Sequence, residues 1–239
     1  LGVSAGASLG AVIAIYFGFA ASFTLAAPLF GLTGAFVTTG IAFILARGGG
    51  TLSLILAGAA VSSIASAGVS LALNLSPNPF AAMEITSWLL GSLEDRSFQH
   101  VLLALPCIAL GMLMLAGQAR ALDALTLGED GAAALGADLR AARLWLLLGI
   151  GVGVGGAVAV SGAIGFVGLI VPHLVRPLTD RSPSAVLWPS ALAGAALLTL
   201  ADVAVRVIPT TNELKLGVVT AFLGVPVFLV HLMRERRLW

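Results

Sequence analysis

The chain has 239 residues, of which 59% are hydrophobic and 10% charged, with a net charge of +1. An ordinary globular domain is about one-quarter charged, so a soluble fold of this size is excluded, and so small a net charge points to no nucleic-acid partner. A mean hydropathy of +1.08 fits an integral membrane protein instead.

Only helices and closed barrels satisfy their backbone groups in lipid. The long unbroken apolar runs lack the alternation of barrel strands and read as helices. Charges and turn residues mark eight spans, at roughly 3–20, 25–46, 51–73, 100–119, 143–160, 162–176, 185–206 and 216–233. Residues 1–46 carry no charge and are about twice as long as one crossing needs, so the run is expected to turn near Pro28. The uncharged run 144–175 is also too long for one span and is expected to break at Ser161-Gly162, giving a long helix and then a short one.

If the spans alternate, nine arginines (Arg47, Arg120, Arg140, Arg143, Arg176, Arg181, Arg234, Arg236 and Arg237) fall on one side. Arg96, Arg206 and Lys215 fall on the other. The excess of positive charge places the first side, with the C-terminus and the 120–142 loop, in the cytoplasm. Trp145, Trp188 and Trp239 then lie near the inner interface and Trp88 near the outer one. Residues 74–99 form an outer loop whose middle suits a short amphipathic helix lying on the membrane. Residues 120–142 read as two short helices separated by Gly128 and Gly131, with Gly136 closing the second.

The chain carries no HExxH, GxSxG or Walker A motif. His100, His173 and His231 are dispersed and Cys107 is alone, which suggests neither a catalytic group nor a metal or cofactor site. Asp202 is the one acid inside a span, and Arg206 shares its helix face at i+4. An ion-coupled secondary transporter, the main alternative reading, would be expected to bury more carboxylates; a purely structural membrane component is a third reading. Gly2, Gly6 and Gly10 recur at a spacing that lets helices approach closely in lipid. Ser62, Ser66 and Ser70 recur likewise and form a weakly polar stripe, readable as packing glue or as a pathway lining.

Five blocks, in order, resemble the permease subunits of iron-chelate and vitamin B12 ABC importers. They are "LGVSAGASLGA", "LTLGEDGAAALGAD", "SGAIGFVGLIVPHLVR", "ALAGAALLTLADVAVR" and "NELKLGVVTAFLGVPVFLV". The resemblance spans essentially the whole chain. It implies an all-α polytopic transmembrane bundle of the type II importer class, with this chain as one permease domain supplying the last eight of about ten helices and the first two lying upstream of Leu1. It implies two copies of the permease working as a homodimer in the bacterial inner membrane, with an ABC ATPase subunit and a periplasmic substrate-binding protein as partners. Its cargo would be a siderophore, haem or cobalamin, and ATP would be hydrolysed elsewhere.

The resemblance also assigns residues. Leu127, Gly128, Glu129, Ala133, Leu135 and Gly136 fall in a coupling loop that docks on the ATPase, where Glu129 would meet a basic or amide group. Arg206 matches an external arginine that pairs with an acid of the binding protein. Thr51 matches a cytoplasmic gate position, with Ser62, Ser66 and Ser70 on the same span. In the block at 161–176, Gly162, Gly165 and Gly168 are expected to pack a short helix closely. Pro172 is expected to kink or end it, making a hinge with His173 beside the coupling loop.

Overall fold

The structure is a computed structural model and describes residues 2–47, 49–208 and 214–235. Arg236, Arg237 and Trp239, and the side chains of His231 and Arg234, lie outside the described residues. Within them the secondary structure is helical, without a strand. Contacts gather the chain into two compact units, Leu1–Leu89 with Glu94–Ala163, and Leu90–Leu93 with Ile164–Trp239.

Each of the eight expected spans corresponds to a helix. In the first unit these are α1 (Val3–Tyr16), α3 (Ala26–Leu45), α4 (Thr51–Asn74), α6 (Phe98–Gly117) and α9 (Leu139–Ser161). In the second they are α10 (Val167–Val175), α11 (Pro183–Val207) and α12 (Leu216–Glu235). Helices α3, α4, α6, α9 and α11 are each long and apolar enough to cross a bilayer; α1 is a shorter apolar helix.

The first turn of the chain does not fall at Pro28. The backbone breaks earlier, around Gly18, where φ is 76°, and a short helix α2 (Phe19–Ser22) precedes α3. Pro28 is buried in the first turn of α3. There its missing N–H costs nothing, because the first amides of a helix have no intrahelical acceptor.

Lipid supplies no hydrophobic force between helices, so close backbone packing must hold them together. Helix α1 lies against α3 along a seam of small residues. A Cβ on Gly6 would collide with Thr38, one on Gly10 with the Phe30 carbonyl, and one on Gly34 with the Gly6 carbonyl. Helix α9 continues the pattern, facing Ala35 of α3 through Gly155 and Cys107 of α6 through Gly156. The buried hydroxyls on the seam stay within their own helix: Thr38 donates to Gly34 O at 2.8 Å and Thr39 to Ala35 O at 2.7 Å.

The outer loop holds the expected amphipathic helix, α5 (Pro79–Leu89). Ile85 is fully buried against Val12, Ile15 and Val69, while Phe80 and Met83 are exposed. His100 is structural: with Ser97 it closes a capping box at the start of α6, its Nδ1 accepting the Ser97 N–H at 3.2 Å.

In the second unit α10 packs on α11 and α12. As expected, α9 ends at Ser161, and Gly162 leaves it with φ 71°. Helix α10 then starts from Phe166, which holds a left-handed φ of 65°. Among the described residues nothing lies within 4 Å of a Cβ built on Gly165 or Gly168. The close approach expected of them belongs to Gly224 of α12, where a Cβ would stand 2.5 Å from Ile170 and 2.8 Å from Phe166. Pro172 lies inside α10, which ends three residues later and passes into a 3-10 turn at Arg176–Leu178.

Candidate functional site

The polar segment after α6 folds as two short helices, α7 (Ala119–Ala124) and α8 (Gly128–Ala134), joined by a 3-10 turn at Leu125–Leu127. Gly128, at φ 85°, makes the break, whereas Gly131 lies inside α8 rather than at the separation. Gly136, at φ 80°, closes α8: the Ala137 N–H reaches Ala132 O at 3.1 Å and the Gly136 N–H reaches Ala133 O at 2.9 Å. That pair of bonds needs a left-handed residue at position 136, which glycine supplies without steric cost. Asp138 then caps α9, accepting from the Arg140 and Ala141 amides at 3.1 and 3.0 Å.

The second short helix is therefore closed and capped onto α9 by backbone and side-chain hydrogen bonds. Ala132 is fully buried, while Leu127 and Leu135 are 66% and 67% exposed. Two large apolar side chains raised on an ordered knob outside the apolar spans form a surface suited to a protein partner.

Glu129 joins this knob to the start of α4. Its Oε1 accepts the Thr51 N–H at 3.0 Å and the Thr51 hydroxyl at 2.8 Å. The same oxygen pairs with Arg143 Nη2 of α9 at 2.7 Å, and Arg143 Nη1 donates to Gly49 O at 3.1 Å. The Thr51 hydroxyl, then its amide, then Arg143 hold the Glu129 carboxyl below its usual range. Sequence reasoning placed Glu129 and Thr51 in separate roles and expected a basic or amide group on the ATPase to meet the carboxylate. Here the carboxylate takes its donors from its own chain. Arg143 and Gly49 were missed. Arg143 carried only one signal, as one of nine arginines on the same side.

A cleft of about 500 Å³ opens beside the junction, lined by Arg47, Arg140, Arg143, Phe43, Leu54 and Leu147 among others. The end of α3, the start of α4 and the start of α9 therefore share one end of the first unit, as the charge count required. Of the serine stripe on α4, Ser62 is half-buried and donates to Gly58 O at 2.8 Å, while Ser66 and Ser70 are exposed. Ser62 lies eleven residues from Thr51, about 20° off its face at 100° per residue. In the second unit, Arg206 Nε donates to Asp202 Oδ2 at 2.8 Å, the ion pair expected from the i+4 spacing. His173 lies in the last turn of α10.

The model of the FecCD transport family matches residues 1–234 of the chain. The hemin transport system permease protein HmuU of Yersinia pestis is 37% identical, over 99% of this chain and 72% of its own length. The vitamin B12 import system permease protein BtuC of Vibrio cholerae is 39% identical, over 98% of this chain and 71% of its own. An ABC transporter permease protein of Bacillus subtilis, YvrB, is 37% identical, over 99% and 68%. Among solved structures, a metal-chelate type ABC transporter in an inward-facing conformation aligns with a TM-score of 0.88 and 32% identity, covering 98% of this chain and 74% of that one.

Proposed function

The chain belongs to the FecCD transport family and is a multi-pass permease of an ABC importer, and from this premise we propose that its cargo is an iron chelate, haem or cobalamin. Two copies form the pathway in the bacterial inner membrane, each acting as one permease domain across 1–239, with the C-terminus in the cytoplasm. A periplasmic binding protein delivers cargo to the outer mouth, where Arg206 meets an acidic side chain; such exposed pairs set register and encounter rate more than affinity. A separate ATPase subunit grips the 126–136 knob. Thr51, Ser62, Ser66 and Ser70 line the moving helix α4, and Gly165, Pro172 and His173 form a hinge in the second unit.

The observation that supports this reading is the knob itself, an ordered helical pair that exposes Leu127 and Leu135 and whose Glu129 is bonded to the head of α4. In vesicles holding the permease, its ATPase and its binding protein, at least one of haem, cobalamin or a ferric siderophore is expected to accumulate only with ATP. Accumulation driven by a proton or sodium gradient alone would sink the reading.

A further inference from the structure

Helix α4 begins without a cap of its own. Its N-cap is Gly50, which has no side chain to accept a hydrogen bond, and its first turn holds no acid. Exposed amides and an uncompensated dipole at a helix start call for an acceptor, preferably a negative one. Glu129 supplies it from 78 residues away, with one oxygen taking the Thr51 amide and hydroxyl. The guanidinium of Arg143 closes the arrangement: Nη1 donates to the Gly49 carbonyl just ahead of α4, and Nη2 lies 2.7 Å from the same Glu129 oxygen as an ion pair rather than an aligned hydrogen bond. A carboxylate engaged by charge-assisted bonds is a stiffer link than an apolar contact, because its strength depends on distance and direction. A Cβ on Gly50 would stand 3.3 Å from the Glu129 carboxylate, so the glycine also lets the carboxylate come close.

We propose that Glu129 is a positioning residue that transmits displacement of α8 to α4: the knob moves the start of the helix through one carboxylate, with Arg143 keeping that carboxylate aligned. The proposal rests on the reading that α8 is what the ATPase moves. It assigns the transmission step to a bond within the permease rather than to direct contact between the ATPase and α4.

The test uses the assembled transporter in lipid vesicles, in a Cys107→Ala background, with one nitroxide label at either of two exposed positions. Ala134→Cys reports on α8 and Leu52→Cys on the first turn of α4. With Glu129 in place, trapping with ATP and vanadate is expected to change both spectra. In Glu129→Ala the Ala134 label still responds, while the ATP-dependent response at Leu52 is lost. Glu129→Gln keeps an acceptor for Thr51 and gives up the ion pair, so its Leu52 response is expected to lie between those of the unsubstituted residue and the alanine variant. It decides the matter if the alanine variant does not assemble. A full Leu52 response in either variant overturns the proposal. An Ala134 label that does not respond with Glu129 present removes the coupling reading itself, and the proposal with it.

Discussion

Gly10 of α1 faces the carbonyl of Phe30 on α3 so closely that no Cβ fits between them. Replacing it with valine must push apart two backbones, not a flexible side chain, and is expected to cost about 3 kcal/mol. Gly40 lies on the same helix as Phe30, and a Cβ there meets nothing within 4 Å. Gly10→Val is therefore expected to lose protease resistance in mild detergent while Gly40→Ala keeps it. Equal resistance of the two would show that the seam does not hold α1 in place.

At Gly136 the surroundings are open and the constraint is the left-handed backbone alone. Gly136→Ala is expected to destabilise the loop by about 1 kcal/mol, Gly136→Val by more, and Gly136→Asn by less, following the tolerance of each for positive φ. The number of cargo molecules imported per ATP hydrolysed should fall from the asparagine to the alanine to the valine variant, with membrane insertion unchanged. Uptake per ATP that ignores the order would count against a rigid knob.

Acid should loosen the junction late. The Glu129 carboxyl titrates lower in the folded protein than in the unfolded chain, chiefly through the Thr51 hydroxyl. Its stabilising contribution is therefore complete above the ordinary glutamate range and is lost as the pH falls through the depressed folded value. The difference in apparent melting temperature between the wild type and Glu129→Gln is expected to be constant through the neutral range and to shrink only in stronger acid. A difference that shrinks near neutrality would contradict the bonding described.

In the second unit, Gly224→Leu is expected to displace α12 from α10, since a Cβ already overlaps Ile170 and Phe166. Phe166→Gly relieves the left-handed backbone at the start of α10 but removes a ring that packs on Gly224. Only Phe166→Gly changes backbone strain, whereas both changes disturb the α10–α12 contact, one by overfilling it and one by emptying it. Both variants should make α10 more accessible to a membrane-permeant cysteine reagent at an introduced Val171→Cys, a buried position. Strong protection in Phe166→Gly would mean that backbone relief outweighs the lost contact.

The spans were legible because apolar length and charge placement are nearly sufficient to set them in lipid. The loop helices and the break at Gly162 followed from glycine and proline chemistry within a few residues. Pro28 misled because proline punctuates a chain in two ways, breaking a helix or opening one, and here it does the second. Gly165 and Gly168 meet no close neighbour among the described residues, because small residues allow close packing without requiring it, and the close approach to α10 falls at Gly224. The union of Gly49, Thr51, Glu129 and Arg143 had no local signature at all. Its members are separated by up to 94 residues, and each alone reads as a turn glycine, a helix start, a loop acid or an interfacial cation.

Helix α4 is 24 residues long, about 36 Å at 1.5 Å per residue, against a hydrocarbon layer of about 30 Å. It is thus roughly one turn longer than an untilted crossing needs, and its first turn is the one whose acceptor comes from elsewhere in the chain. A helix of that length can lean by tens of degrees and still cross, so a tug on its first turn through Glu129 has room to become a change of tilt.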